Sequence, residues 1–336
     1  MELALVDRWK SLADEQWGDL HPDDHIGQVV RTYRMGMDVS QADGQRVFGT
    51  TDDKYRDPLA APATGDWVVV STPGQREYPL IRRINHRDTM LVRRDPADRA
   101  APQLLATNTD IVAIVHGADR PVNARRLWRA LAVAGGSGAD VVMVLTKADL
   151  DTTGSAAQTM QAAAPTVPVY VTASEQGDGL PMLHQLLQPD TQVPGKTMVL
   201  IGESGAGKSS LVNALVNDDA VAVGAVRDLD AKGRHTTTHR ELIYLPHDGG
   251  AVLDTPGVRA IGMWPGFVNV AVPFADIAEA AMNCKFADCR HRNEPGCGVR
   301  QALADGNLTQ ERVDACLELI DEEAQVAREL ETKHWR

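Results

Sequence analysis

Between His25 and Arg93, hydrophobic and polar residues alternate in short runs at Ile26–Tyr33, Gln45–Thr50, Asp66–Ser71, Glu77–Asn85 and Thr89–Arg93. Gly44, Gly49, Gly65 and Pro73-Gly74 interrupt them. A period of two turns one face of each run inward, so the pattern predicts five short strands in close succession. That number points to a small barrel of the oligonucleotide-binding (OB) type. Residues 1–24, ahead of it, read as an acidic, helix-prone extension, with Asp7, Asp14, Glu15, Asp19, Asp23 and Asp24 against Arg8 and Lys10. Further along, the texture changes to apolar β-prone runs at Val141–Leu145, Val167–Val171, Thr197–Ile201 and Ala251–Leu253. Ser210–Val216 and Leu308–Lys333 have helical spacing instead, the second through Leu317, Ile320, Ala324 and Ala327.

The residues just past each apolar run carry the chemistry. After Ile201 comes Gly202-Glu203-Ser204-Gly205-Ala206-Gly207-Lys208-Ser209, which fits G-x-x-x-x-G-K-[ST] between a predicted strand and a predicted helix that opens at Ser210, also counted with the site. Such a turn aims backbone N–H groups and the positive helix end at a polyphosphate. Lys208 then reaches the β/γ-phosphates and Ser209 holds Mg²⁺. The run at 141–145 ends in Thr146-Lys147-Ala148-Asp149, the T-K-x-D form of a guanine signature. A carboxylate at Asp149 accepts from guanine N1–H and the 2-amino group, two donors that adenine lacks there. The run at 167–171 ends in Thr172-Ala173-Ser174, whose backbone N–H groups are placed to donate to guanine O6. Asp254-Thr-Pro-Gly257 supplies a D-x-x-G, with Asp254 on Mg²⁺ through water and the Gly257 amide at the γ-phosphate. Gly233-Arg234-His235-Thr236-Thr237-Thr238 offers the threonine of a first switch loop; Thr237 is our choice among three.

The order of these motifs is unusual. The base-reading segments precede the phosphate loop, whereas GTPases normally carry them after it. Joining the old termini and opening new ones at a surface loop preserves the sheet. The sequence therefore predicts a circularly permuted GTPase domain. Ras-type enzymes place a glutamine just after D-x-x-G to orient the attacking water, but Val258 stands here. His235 is the internal candidate for that work, with an RNA-facing loop role as its rival.

Composition narrows the class further. A chain of 336 residues has room for two or three domains, and 43% hydrophobic residues suffice for their cores. The sequence contains neither an apolar run of membrane-spanning length nor a basic n-region, so we expect a cytoplasmic enzyme with no membrane contact. A net charge of −12 argues against wholesale polyanion binding and leaves local patches. One is Arg82, Arg83, Arg87, Arg93 and Arg94, near the last two predicted barrel strands. Another is Lys285, Arg290, His291, Arg292 and Arg300. Around the second patch, Cys284, Cys289, His291 and Cys297 form the pattern C-x₄-C-x-H-x₅-C. Three thiolates and an imidazole form a closed tetrahedral set for one structural Zn²⁺. Cys316 lies apart and reads as core packing.

An OB-type barrel, a permuted GTPase and this cysteine–histidine module, in that order, resemble one family. It is the ribosome-small-subunit-dependent GTPase A family, the YjeQ/YloQ or EngC type. Gly233–Thr238 and Asp254-Thr-Pro-Gly-x-Arg259 add to the likeness. The resemblance implies a multi-domain α/β protein with a β-barrel. Its parts are an extension (1–24), the barrel (25–102), the GTPase domain (103–268) and a zinc-binding, helical module (269–336). It implies GTP hydrolysis to GDP in late maturation of the 30S ribosomal subunit, stimulated by the subunit. It also implies contact of barrel and zinc module with 16S rRNA and a functional histidine at His235. We expect a monomer. Two other readings stand beside it: an RNA-binding assembly scaffold with a structural nucleotide site, and an ATP-using phosphate-loop enzyme.

Overall fold

The computed structural model describes residues 20–334 apart from positions 22, 42–43, 53–54, 56, 73–76, 99, 175, 190–194, 218–239, 247–248 and 256–260. Most of the acidic extension, the switch residues His235 and Thr236–Thr238, and Gly257, Val258 and Arg259 lie outside the described residues.

Five strands form the barrel: β1 (Asp24–Thr32), β2 (Met37–Gln41), β3 (Arg46–Gly49), β4 (Trp67–Ser71) and β5 (Leu80–Ile84). They pair in the order β3-β2-β1-β4-β5, and a parallel bridge from Thr50 to Leu80 brings the two ends together. Val29, Met37, Val39, Val68, Val70 and Ile81 fill the interior. Strand β2 is absent from the sequence pattern because only Met37 and Val39 point inward and its other residues are polar. The run at 89–93, expected in the barrel, does not belong there. It forms β6 (Met90–Arg94), which pairs antiparallel with β7 (Pro102–Thr107) in a separate ribbon, as its nearest partner along the chain.

This correction divides the arginine patch. Arg82 and Arg83 stay exposed on β5. Arg87 is instead used inside, with its guanidinium 2.6 Å from the fully buried Asp66. Arg93 donates to Gln103 at 2.8 Å, and Arg94 pairs with Glu329 at 3.0 Å.

The nucleotide domain contributes β8 (Ile111–Gly117), β9 (Asp140–Thr146), β10 (Val169–Val171), β11 (Thr197–Gly202), β12 (Glu241–Tyr244) and β13 (Ala251–Asp254). They lie in the order β10-β9-β8-β11-β13-β12, with β12 antiparallel to its neighbour and the rest parallel. Both faces are covered, which explains the unbroken apolar runs. Val112 and Ile114 of β8 face α1 (Ala124–Gly135) and α2 (Ser155–Ala163), while Ile111, Ala113 and Val115 face α3 (Leu180–Leu187) and α4 (Lys208–Asn217). The barrel joins this sheet through one β1–β12 pair, Arg31 with Glu241, whose side chains also form an ion pair. Tyr244 adds a bond to Gln28 at 2.9 Å.

The C-terminal module carries α5 (Ala275–Ala281), α6 (Gly298–Ala304) and α7 (Gln310–His334). It shares a core with α1: the Trp128 and Phe274 rings lie 5.2 Å apart, and Ile277, Val299, Val313, Cys316 and Leu319 are buried in the same cluster. The backbones come so close that a Cβ on Gly136 would sit 2.3 Å from Phe267. Arg312 pins the junction, donating to both oxygens of Asp276 at 2.6 and 2.9 Å, to the carbonyl of Ala163 at 2.7 Å and to that of Pro273 at 2.6 Å.

Candidate nucleotide site and metal cluster

The phosphate loop starts where β11 emerges from between β8 and β13. Gly205 and Gly207 have φ of 78° and 84°, a left-handed conformation that glycine adopts without steric cost. Gly207 also needs its lack of a side chain, because a Cβ there would lie 2.9 Å from Thr146 Oγ1. The threonine of the T-K-x-D segment is thus packed against the phosphate loop, and its hydroxyl donates to the Ala206 carbonyl at 2.6 Å. Lys147, itself left-handed at φ 55°, reaches across the loop and donates to Gly205 O at 2.8 Å and to Asp119 Oδ2 at 2.9 Å. These contacts join two motifs that stand far apart and in reversed order along the chain.

Asp149 is exposed in the short turn Ala148–Leu150 at the end of this segment. The Ala148 amide donates to Thr172 O at 3.1 Å and so ties this turn to the third segment. There the structure corrects the expectation from sequence. The Thr172 amide bonds Leu145 O at 2.7 Å and the Ala173 amide bonds Asp178 O at 3.0 Å, so neither is available to a base. Ser174 comes next, and its buried hydroxyl lacks a partner among the described residues.

At the other end of the loop, Lys208 is nearly buried and donates to the carbonyls of Gly202 and Glu203, both at 2.9 Å. Burial pushes its pKa below that of an ordinary lysine, with Asp254 pulling the other way. An arriving phosphate would restore the balance. Ser209 donates to Asp254 Oδ2 at 2.9 Å. Asp254 is only 6% exposed, and its Oδ1 has no hydrogen-bond partner among the described residues. Burial raises its pKa, and the Ser209 bond offsets part of that rise. A buried carboxylate with one orphaned oxygen beside a serine hydroxyl is a hard-oxygen donor set, which suits Mg²⁺. Ser204 and Ser210 are exposed.

Sequence reasoning missed the support around these motifs. Asp119 and Arg120 leave the C-terminal end of β8 beside the phosphate loop. The bond from Arg120, and then that from Lys147, hold the Asp119 carboxyl down at about 2. Arg120 also donates to Ser204 O at 3.3 Å and lies 3.6 Å from Glu203, which pairs with Arg126 as well. The available signal was position, since polar residues just past a parallel strand line the ligand edge of such sheets. Beside the loop runs a cleft of about 730 Å³, lined by His116, Arg120, Asn123, Leu127, Met160 and Ile261 among others. It meets the loop only at Gly202 and Glu203, so it is not the phosphate cradle.

The four expected metal ligands do converge. One donor atom from each of Cys284, Cys289, His291 and Cys297 lies within 4.8 Å of the others. His291 Nδ1 is 3.5 Å from the sulfurs of both Cys284 and Cys297. A left-handed φ of 60° at His291 lets the short loop turn its ring inward. The Gly298 amide donates to Cys284 Sγ at 3.3 Å, a second contact that orients the ligand. Such a set can hold one metal ion. Cys316 is buried away from the cluster, and burial pushes its thiol up to about 11.

Among the described residues no helix is long and apolar enough to cross a membrane. A profile of the family described as RsgA GTPase matches residues 84–264, and one described as 50S ribosome-binding GTPase matches 197–335. The Small ribosomal subunit biogenesis GTPase RsgA of Streptomyces coelicolor is 40% identical over 311 residues, spanning 91% of this chain and 82% of its own. That of Opitutus terrae is 42% identical over 283 residues, covering 81% and 75%. Among solved structures, YjeQ from Thermotoga maritima aligns with TM-score 0.61 at 24% identity over 90% of this chain and 99% of its own. YloQ, a circularly permuted GTPase, aligns with TM-score 0.61 at 25% identity over 92% and 98%. With the 202–209 loop joined to the Thr146-Lys147 segment across the sheet and a cysteine–histidine cluster beyond them, the chain belongs to the RsgA family of circularly permuted GTPases.

Proposed function

We propose that this GTPase works in biogenesis of the small ribosomal subunit, in the cytoplasm, as a monomer. It binds the 30S subunit through 16S rRNA and is stimulated by it. The observation that carries the nucleotide part is the double joint between Thr146-Lys147 and the phosphate loop, at Ala206 and Gly205. The names of the relatives support the ribosomal part. The barrel of β1–β5, the nucleotide domain (103–268) and the metal-binding module (269–336) are its working parts.

In this reading Asp149 accepts from N1–H and the 2-amino group of guanine, and the Ser174 amide donates to O6. Lys147 covers the base. The amides of 203–209 and the Lys208 ammonium hold the β/γ-phosphates. Ser209 and Asp254 hold Mg²⁺, which when bound neutralises charge building on the phosphate oxygens. Thr237 and the Gly257 amide respond to the γ-phosphate. His235 orients or deprotonates the attacking water, because Val258 cannot. Cys284, Cys289, His291 and Cys297 hold a structural Zn²⁺, whose binding free energy keeps the module folded. The test is multiple-turnover hydrolysis of GTP and of ATP, with and without 30S subunits. GTP alone should turn over, and faster with subunits. Turnover indifferent to subunits would favour the scaffold reading, and ATP turnover would overturn the base site.

A further inference from the structure

Helix α7 presents a row of carboxylates to the rest of the protein. Glu318 pairs with Arg125 of α1, and Glu322 meets Arg129 through two bonds at 2.5 and 2.6 Å. On both helices the paired residues are four apart, so two i,i+4 pairs face each other across the junction. Arg126, between the two arginines, pairs with Glu203 of the phosphate loop instead. The two helices pack beneath this row through Trp128, Ala315 and Leu319, and the row itself lies along an open rim. Asn123, Arg125, Arg126, Arg129, Glu318 and Glu322 help line a space of about 500 Å³ between the helices. The side chains of Arg125 and Glu318 keep 55% and 60% of their exposure, and those of Arg129 and Glu322 keep 34% and 38%. The Arg312 knot and buried Val313, Cys316 and Leu319 hold α7 in place on the inner side, independently of the exposed pairs.

We propose that Arg125, Arg126 and Arg129 form a docking ridge for a nucleic-acid phosphate backbone, and that the α7 carboxylates occupy it as an internal stand-in for phosphates. A guanidinium binds a carboxylate and a phosphate with the same two-pronged geometry. Exposed pairs of this kind add little to stability and are screened by salt, so exchanging them costs little. A polyanion gains several contacts at once and releases its own counterions. In a chain of net charge −12, covering the ridge with carboxylates keeps weak anions off it, while a dense array of phosphates can still compete. A phosphate on Arg126 would also release Glu203 and so connect docking to the phosphate loop. The ridge rests on the reading that this chain contacts RNA, and it names a surface for that contact.

The test measures binding of a short RNA duplex to the full chain by fluorescence anisotropy over a range of salt. Glu318→Gln/Glu322→Gln should bind about tenfold tighter than the unaltered protein at low salt, with a steeper salt dependence. Glu311→Gln/Asp314→Asn makes the same charge change at α7 positions that pair with none of the three arginines, and should gain less than about twofold. Adding Arg125→Gln/Arg129→Gln to the first variant should cancel the gain. Metal content and melting temperature establish that each variant is folded, and Glu318→Gln alone serves if the double variant is not. A first variant no tighter than the control, or a gain that survives loss of the arginines, overturns the proposal. Because the assay uses neither GTP nor 30S subunits, a failure of subunit-stimulated turnover would leave this result standing.

Discussion

The nucleotide site and the metal cluster are built in opposite ways. All four ligands of the cluster lie between positions 284 and 297, and one short loop brings them together. The nucleotide site is assembled from segments that meet only through the sheet: Thr146 bonds Ala206 across 60 positions, and Ser209 bonds Asp254 across 45. A local site depends on its ligand for order, because its own loop has little to bury. A site assembled by the sheet depends on buried strands, and so it survives a change in where the chain begins. That difference explains how the motifs can run in reverse order while the strands keep one arrangement.

Substitutions in the two sites should therefore have separable effects. The largest is at the phosphate loop. Lys208→Ala removes the buried ammonium held over the loop and should lower GTP turnover by at least about 10³-fold without unfolding the protein. Turnover within about tenfold of the unaltered enzyme would mean that the phosphates lie elsewhere. Next, Cys289→Ser should release the metal and increase amide exchange around 284–300, with GTP affinity changed less than about twofold, since structural sites couple metal binding to local folding. Equal losses of metal and GTP affinity would show that the two regions fold as one.

A smaller effect tests the joint itself. Thr146→Val keeps the shape beneath Gly207 but removes the hydroxyl donated to Ala206, and should weaken GTP about fivefold, near 1 kcal/mol. Unchanged affinity would make that joint incidental. The smallest concerns Asp119. Its folded pKa of about 2 lies below the usual carboxylate value, so it stabilises the fold above about pH 4, and that stability is lost as pH falls towards 2. With solvent screening the contribution is about 1 kcal/mol. Asp119→Asn should lower stability by that amount at pH 7 and by steadily less as pH falls through 2, as tracked by denaturant midpoint; a pH-independent loss would point to packing instead.

The sequence disclosed what is local and withheld what is long-range. The cluster was legible from spacing, and the phosphate loop and T-K-A-D segment from motifs closing apolar runs. The permuted sheet could be inferred from motif order. Strand β2 was hidden because a small barrel needs only Met37 and Val39 from it. The run at 89–93 looked like a fifth barrel strand because alternation shows that a strand exists without naming its partner. The amides of Thr172 and Ala173 looked free because their bonds to Leu145 and Asp178 appear only in three dimensions. Asp119 and Arg120 belong to no motif, and only the sheet brings them to the loop.

The most direct test of a nucleotide site assembled by the sheet is the base preference of Asp149→Asn. In the proposed site the change replaces a carboxylate that would accept from N1–H and the 2-amino group with an amide that can present N–H. GTP affinity should fall by roughly 30- to 1000-fold, or about 2–4 kcal/mol, while affinity for xanthosine triphosphate rises above that of the unaltered protein. A variant that kept full GTP affinity and still excluded xanthosine triphosphate would show that the base is read somewhere other than the turn after β9.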